Sequence, residues 1–421
     1  MATPTVDDDA TSGSSSPNWI LLDTATRCGK YRWESLASAT AQPSTAKALV
    51  KYENLARAVP EVDVEVEVSF RLLHPPEVSS FVVRCRCVQD EALLFENDSS
   101  VVGAGGDVAL LHVTLMRNRS RSAHYLAPGI LPRGGGGAYV VAVGVGVKYV
   151  DGGRARDYEL LLYSSRTKAW STRLAPLDPR TDQNYVWSHR TDKVIAVGAD
   201  SLGWVDLWWG IVVCNLADDD EGFTTRFVPL PGPTPGNEHR FAACSARSLR
   251  DVVCVGDLLK FVEIHFHGDE DGDEEDDGVT LEGRRVDFGW KATAWNMMLS
   301  SGDWHAGCTV DTDDIPLSGE MHSFLQHKLP EVKAEKLSWS NLIWYGPTLS
   351  MDDDVLYMIF RRIMYPGHDE EWQVAVDMKN SAPEIVSFTA EEKHFCDPTY
   401  RPIDLSKNQP MSNHHNVEPQ A

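Results

Sequence analysis

The sequence predicts an all-β protein arranged as a β-propeller of about six or seven blades. Short runs that alternate apolar and polar residues recur along most of the 421-residue chain. Clusters of Gly, Pro, Asp and Asn separate these runs, and a helical period is rare. A propeller accommodates many short strands in one domain without exposing long sheet edges.

The clearest strand runs from Val62 to Val68, where valine alternates with acidic residues without exception. Such alternation indicates a strand with one face toward water. Further strands are predicted at 81–87, 108–116, 139–149, 158–163, 193–197, 210–216, 251–255, 258–266, 290–298, 355–360 and 372–377.

One or two peripheral helices are expected outside the sheets. The apolar spacing of Ser44 to Ala58 predicts a helix, with Ser44 as its N-cap and Pro60 just beyond its end. A second, weaker helical pattern covers His322 to Lys336 and is interrupted by Pro330.

A weak internal repeat supports the propeller. Tyr163, Cys214 and Ile264 end similar apolar runs and lie about 50 residues apart, the length of a four-stranded blade with its loops. We therefore expect one domain over residues 18–396. The flanking segments 1–17 and 397–421 are rich in polar residues and lack an apolar period, which predicts disordered tails.

The charge balance argues against a general nucleic-acid binder. The chain has 62 acidic and 39 basic residues, a net charge of −23. Many of the acids lie in three runs, Asp7–Asp9, Asp218–Glu221 and Asp269–Asp277. We interpret these runs as solvated loops, and a docking site for a basic protein partner is the alternative.

The sequence also predicts a protein without a membrane segment. Its longest mostly apolar run, 138–147, has about half the length that a membrane span needs. The N-terminal residues lack the apolar core of a secretory signal. Most of the eight cysteines lie in apolar runs, which indicates buried thiols in a reducing compartment, the cytoplasm or the nucleus.

A tryptophan-rich segment, Leu202–Asn215, reads Leu-Gly-Trp-Val-Asp-Leu-Trp-Trp-Gly-Ile-Val-Val-Cys-Asn, and Phe227–Pro233 follows it. The region 202–233 resembles the signature of the plant "domain of unknown function 1618" family, which is abundant in grasses. That pattern usually has Arg and Asp where this chain has Trp209 and Asn215. Supporting matches lie at Trp19–Asp23, Pro75–Ser79, Leu162–Ser165, Trp170, Pro347–Ser350, Asp352–Tyr357 and Val374–Asp377.

The resemblance implies a propeller similar to the domains found after F-boxes, and it implies no catalytic residues. The chain has no F-box-like helical segment, so the resemblance does not extend to a ligase adaptor. We interpret the signature as structural, with a ligand platform as the alternative, at Gly203, Trp204, Val205, Asp206, Trp208, Gly210 and Cys214.

Strand alternation makes specific predictions for this segment. Trp204 and Trp208 are expected on one face of a strand and Trp209 on the other. Asp206 is expected to need a hydrogen-bond donor, such as a turn amide or an indole N–H.

His265 and His267 are weak candidates for metal ligands, because both imidazoles would point to one face of a strand. Asp271 and Gly278 follow at a spacing that imitates the first metal motif of cupins, but the second motif is missing. Tight binding would need a third well-placed ligand. We therefore predict neither a metal site nor a cofactor.

The sequence favours a non-enzymatic protein-interaction module whose partner is an unidentified protein. It contains no serine-hydrolase, zinc-protease, P-loop or dinucleotide-binding motif. An enzyme or small-ligand-binding protein that uses a central propeller channel is the alternative, since propellers host such sites without short motifs. A channel lined by acidic and histidine side chains with shifted pKa values would favour that alternative.

Overall fold

The computed structural model describes residues 19–23, 44–54, 59–71, 78–87, 96–105, 108–116, 128–133, 138–149, 155–177, 189–216, 225–241, 244–267, 289–328, 337–339, 342–362, 371–379, 382–387 and 400–404. The predicted tail 1–17 and all three acidic runs lie outside these residues.

The described residues form 23 strands in six sheets. Sheet I comprises β5 (Glu96–Gly105) and β6 (Val108–Met116). Sheet II comprises β7 (Pro128–Pro132), β8 (Tyr139–Tyr149), β9 (Ala155–Ser164) and β10 (Ala169–Pro176). Sheet III comprises β11 (Lys193–Val197), β12 (Ser201–Asp206), β13 (Gly210–Asn215) and β14 (Thr225–Pro229).

Sheet IV comprises β15 (Arg250–Val255), β16 (Leu258–Phe266), β17 (Trp290–Met298) and β18 (His305–Asp311). Sheet V comprises β19 (Leu342–Leu349), β20 (Val355–Arg362), β21 (Glu371–Asp377) and β22 (Ala382–Ser387). Sheet VI comprises β1 (Trp19–Asp23), β2 (Ser44–Asn54), β3 (Val59–Arg71), β4 (Val78–Cys87) and β23 (Tyr400–Asp404).

Sheets II to V are antiparallel, and within each the strands lie in chain order. Short turns make this order possible. The β11–β12 and β15–β16 turns each contain a glycine with positive φ, Gly198 at 64° and Gly256 at 59°. Glycine reaches this region without the steric cost of a Cβ atom, so each turn can reverse the chain within a few residues.

The six sheets follow one another around a ring. One end strand of each sheet contacts its counterpart in the next, in the cyclic order β5, β7, β11, β15, β19 and β23, and β23 contacts β5. This arrangement is that of a β-propeller with six blades in the described part of the chain. The predicted all-β, propeller-like architecture is thus confirmed.

Sheet VI brings the two ends of the chain together. β1 pairs antiparallel with β23, from Trp19 opposite Asp404 to Asp23 opposite Tyr400. On its other side β1 pairs in parallel with β4 through Leu21 and Leu22. The segment 397–421, expected to be a disordered tail, therefore contains a strand that completes the ring.

The predicted helix from Ser44 to Ala58 is wrong, since residues 44–54 form β2. β2 pairs antiparallel with β3, from Ser44 opposite Phe70 to Asn54 opposite Val59. Pairing with a neighbouring strand decides the structure of this segment, which its own apolar spacing did not indicate.

Helices are few, as expected. The helix predicted over His322–Lys336 is present in part, as α1 (Gly319–Lys328). Short 3-10 helices occur at Pro235–Arg240, Ala246–Ser248 and Thr312–Asp314. None of the helices among the described residues has the length and apolar character needed to span a membrane.

The hydrophobic core lies between neighbouring sheets. β15 shows how alternation divides the core: Val252 packs with the cluster between sheets III and IV, and Val253 packs with the cluster between sheets IV and V. A third cluster joins sheets II and III through Leu160 and Leu202. Each strand of this kind contributes to two layers of core, which holds consecutive blades together.

Candidate functional site

The tryptophan-rich segment forms β12, a tight turn and β13. Trp204 is 1% exposed and packs between sheets II and III, with its ring centroid 6.0 Å from that of Tyr158. Trp208 instead packs between sheets III and IV. The prediction that Trp204 and Trp208 share a face is therefore wrong, because β12 ends at Asp206 and the turn interrupts the alternation.

Asp206 organises this turn. Its carboxylate accepts hydrogen bonds from the backbone N–H groups of Arg190 (2.7 Å), Trp208 (3.0 Å) and Trp209 (3.3 Å). The turn amides are the partners that the sequence led us to expect. Burial raises the pKa of Asp206, and the neighbouring Asp192 raises it further, while the three N–H donors lower it.

The remaining signature positions are tightly packed. A Cβ atom on Gly203 would lie 2.7 Å from Cγ2 of Ile211, and one on Gly210 would lie 2.5 Å from the Val228 carbonyl oxygen. Val205 and Cys214 are fully buried in different core clusters. Burial raises the pKa of the Cys214 thiol above its ordinary value, so the thiol stays protonated.

A cluster of aromatic rings and charges connects this turn to sheet IV. The Trp208 indole N–H donates to the Cys244 carbonyl at 2.9 Å, and its ring meets Phe241 edge to face with centroids 5.6 Å apart. The Arg250 guanidinium lies 4.7 Å from the centroid of the Trp208 ring, a cation–π distance.

Arg250 and Glu263 form an ion pair that sequence reasoning missed. Glu263 accepts from Arg250 at 3.0 Å and from Asn237 Nδ2 at 2.6 Å, and Arg250 donates to the Leu207 carbonyl at 3.1 Å. Neither charged side chain is exposed. Burial lowers the pKa of Arg250, and Glu263 opposes this effect. No short motif marks such a pair, because its members lie on different strands.

Two more titratable groups lie at the start of β11. The Asp192 carboxylate accepts from the Leu207 N–H at 2.9 Å, and burial raises its pKa. Burial lowers the pKa of His189 to about 4, and neither ring nitrogen has a hydrogen-bond partner among the described residues. Through its bond to Leu207, Asp192 supports the turn that Asp206 organises.

Polar contacts also link the inner strands of consecutive sheets. Lys193 on β11 forms an ion pair with Asp251 on β15, and the other oxygen of Asp251 accepts from the Leu349 N–H on β19 at 2.9 Å. Both charged side chains are largely buried. One carboxylate thus connects three blades, and it has protein partners on both oxygens.

The two weak metal candidates among the described residues, His265 and His267, lie in different surroundings. His265 packs against Gly236, where a Cβ atom would lie 1.8 Å from Nε2. His267 lies 3.1 Å from Asp311 and 4.0 Å from Asp313, measured from its two ring nitrogens to carboxylate oxygens. His267, Asp311 and Asp313 could together offer three ligand atoms to a metal ion. Asp271 lies outside the described residues.

An exposed apolar surface lies on the outer strands of sheet II. Trp170 on β10 is 60% exposed and Leu174 is 51% exposed. Trp170 pairs across the strands with Tyr163, whose ring centroid is 5.3 Å away, and the Tyr139 ring lies 6.5 Å from that of Tyr163. We call Tyr139, Tyr163, Trp170 and Leu174 the aromatic patch.

The sheet geometry explains why this patch is on the surface. Leu160 and Ala175 point from β9 and β10 into the core shared with sheet III. Tyr163 lies three residues from Leu160 on β9, and Trp170 lies five residues from Ala175 on β10. Because side chains alternate along a strand, both rings point away from that core. On that side the neighbouring sheet, sheet I, has only β5 and β6 in the described part of the chain.

The residues around the patch are mixed in charge, with a small excess of basic ones. Positions 157–176 contain Arg166, Lys168 and Arg173 and two acidic residues, of which Glu159 lies opposite Leu174 and Asp157 opposite Pro176. Arg166, Lys168 and Arg173 are exposed. Lys168 has φ of 54° in the β9–β10 turn. The patch therefore combines large apolar side chains with basic residues at the hairpin turn, Arg166 and Lys168.

Comparison with known proteins agrees with the resemblance found in the signature segment. A model of the family described as "Protein of unknown function (DUF1618)" matches residues 204–357. No curated protein matches the sequence significantly. Among solved structures, the WD40 domain of SCAP from fission yeast is similar to this chain with a TM-score of 0.26 and 10% identity, covering 86% of this chain and 69% of that one.

Proposed function

We propose that this protein is a non-enzymatic protein-interaction module, in which a propeller-like ring presents the aromatic patch to a partner protein. The observation that carries this proposal is the 60% exposure of Trp170. The other described tryptophans are buried or half-buried. An exposed Trp beside a Tyr and basic residues has the composition of an interface hot spot.

The buried polar groups support a non-catalytic role. The carboxylates of Asp192, Asp206, Asp251 and Glu263 each accept hydrogen bonds from groups of this chain. Their arrangement accounts for the shape of the turns and the contacts between sheets.

We also propose that the protein acts in a reducing compartment, the cytoplasm or the nucleus. Cys214, Cys244, Cys254 and Cys308 are free thiols, which supports this location. The expectation of a basic partner concerned the acidic runs Asp7–Asp9, Asp218–Glu221 and Asp269–Asp277, and it remains a prediction for those segments.

Site-specific photocrosslinking tests the proposed function. Benzoylphenylalanine is placed at Thr172, which is exposed on the same strand face as Trp170, and the full-length chain is irradiated in an extract of the cells that express it. The matched control carries the crosslinker at Met298, which is 46% exposed on sheet IV.

We expect one protein adduct that forms at Thr172, is absent at Met298 and is lost when Trp170→Ala is added. Mass spectrometry of the crosslinked peptides identifies the partner. Equal yields at both positions, or an adduct that is indifferent to Trp170→Ala, would overturn the proposal.

A further inference from the structure

We propose that β10 is a strand-addition site for an extended, acidic peptide segment of a partner protein. This inference rests on the proposed function, because it assigns the chemistry of the partner that the aromatic patch binds. An added strand would pair with the β10 backbone while its side chains meet the patch and the basic residues beside it.

The backbone of β10 is the first support. β10 is the outer edge of sheet II and pairs with β9 over eight positions without a register shift. A regular edge strand of this length leaves a row of N–H and C=O groups available to another chain. Six consecutive residues, 169–174, are exposed.

The outer edges of sheets III, IV and V are less suited to pairing. The edge strand β14 is five residues long and ends in Pro229, and β22 contains Pro383. The pairing of β17 with the edge strand β18 shifts register between Thr293 and Trp295. Proline and irregular pairing discourage the addition of a strand. Residues 169–175 of β10 contain no proline and pair with β9 without a register shift.

The far end of β10 is fixed to the next sheet, which limits the length of the site. Leu177 forms an isolated parallel bridge with Thr225 of β14, and the Thr225 hydroxyl donates to the Pro176 carbonyl at 2.5 Å. The open part of the edge is therefore 169–174, enough for a partner segment of about six residues.

The side chains define what the partner segment must contain. Trp170, Thr172 and Leu174 lie on one face of β10, two residues apart. A paired strand with apolar residues at alternate positions would cover Trp170 and Leu174. Arg166 and Lys168 at the hairpin turn favour acidic residues at the intervening and flanking positions of the partner segment.

The test uses a fluorescent, end-capped peptide with the sequence Val-Asp-Val-Glu-Val-Glu-Val, which has this alternation, and measures its binding to the full-length protein by anisotropy. Two control peptides are used. In one, lysine replaces each acidic residue; in the other, alternate backbone amides are methylated, which removes the donors that pair with an edge strand.

We expect each control peptide to bind at least about tenfold more weakly than the acidic peptide, and Trp170→Ala to weaken binding by a similar factor. Met298→Ala, which removes an exposed apolar side chain on another sheet, should leave the affinity unchanged. The affinity for the acidic peptide should fall when the salt concentration is raised from about 0.15 M to about 0.5 M, because salt screens the attraction between basic side chains and the acidic peptide.

Other outcomes overturn the inference and separate it from the proposed function. Equal binding of the methylated peptide would exclude strand pairing, and tighter binding of the lysine peptide would exclude an acidic partner. Binding of a single-stranded oligouridine in place of the peptide, or a dimer that Trp170→Ala dissociates, would assign the patch to nucleic acid or to a second copy. If a protein crosslinks at Thr172 but the acidic peptide does not bind, the inference of strand addition is wrong and the proposed function is still supported.

Discussion

Arg250 and Glu263 face each other on neighbouring strands of sheet IV, 3.0 Å apart, with neither side chain exposed to solvent. Arg250 also donates to the Leu207 carbonyl in the β12–β13 turn, and Asn237 donates to Glu263 from the connection between sheets III and IV. The pair therefore joins three segments of the chain. Because each charge is buried, removing one partner leaves the other without compensation.

We expect Glu263→Ala to lower the free energy of unfolding by about 3–5 kcal/mol, because it leaves the buried Arg250 charge without its ion-pair partner. Chemical denaturation followed by tryptophan fluorescence measures this loss. Glu238→Ala, at an exposed position of the adjacent 3-10 helix, is the control and should change stability by less than about 0.5 kcal/mol. The double variant Arg250→Met with Glu263→Met should recover much of the loss; if it does not, hydrogen bonds rather than charge burial dominate.

The pH dependence of stability should contain a contribution from His189. Burial lowers its pKa from 6.5 to about 4, so the folded protein binds fewer protons than the unfolded chain between these values. The stability due to the neutral imidazole is complete above the unfolded pKa of 6.5 and is lost as the pH falls toward 4.

Unfolding free energies of the wild type and of His189→Gln at pH 7.5 and 4.5 measure this contribution. We expect the wild type to lose about 2–3 kcal/mol more than the variant over this interval. Asp192 and Asp206 act in the opposite direction, since their raised pKa values favour the fold as the pH falls. Both proteins retain these two groups, so their effect cancels in the comparison. Parallel pH profiles would show that His189 does not titrate as a buried group.

Gly210 should not tolerate a side chain. A Cβ atom there would lie 2.5 Å from the Val228 carbonyl oxygen, which is backbone and cannot move without disturbing the β13–β14 pairing. Gly210→Ala should therefore cost about 1–3 kcal/mol of stability. Gly232→Ala is the matched control, because nothing lies within 4 Å of the added atom. Thermal unfolding distinguishes the two, and equal melting temperatures would contradict the proposed close packing.

Replacing Asp269–Asp277 by Asn-Gly should leave the free energy of unfolding within about 1 kcal/mol, because the cost of closing a loop changes slowly with its length. The structure places the strands on either side of this segment in one antiparallel pair, with Phe266 opposite Trp290. Calorimetric unfolding with and without Ca²⁺ provides the measurement. A stabilisation by Ca²⁺ that disappears in the shortened protein would identify a structural metal site.

The strand content could be predicted because it depends on local patterns. The alternation in Val62–Val68 reflects the pleat of one strand, and the structure has β3 there. The need of Asp206 for amide donors followed in the same way, since the turn that supplies them is only two or three residues away. Residues that interact within a few positions of one another leave their signature in the sequence.

Other features depended on how strands pair and how sheets pack in the folded chain, and these the sequence did not reveal. Residues 44–54 form a strand because β3 supplies paired positions, and Trp208 faces sheet IV because the turn redirects it. The Arg250–Glu263 pair leaves no motif, since its remaining partners come from other segments.

The sequence by itself determined the all-β class and the signature segment, because strand periodicity and turn residues act locally. The predicted repeat did not hold, since Tyr163 and Cys214 lie on the third strands of their sheets and Ile264 lies on the second strand of sheet IV. Only the tertiary structure decided that β1 and β23 complete the ring, and that Trp170 is 60% exposed while Trp204 is buried. Both tryptophans occupy strands with similar local patterns. Their burial differs because a neighbouring sheet covers one and not the other, and that depends on the packing of the whole chain.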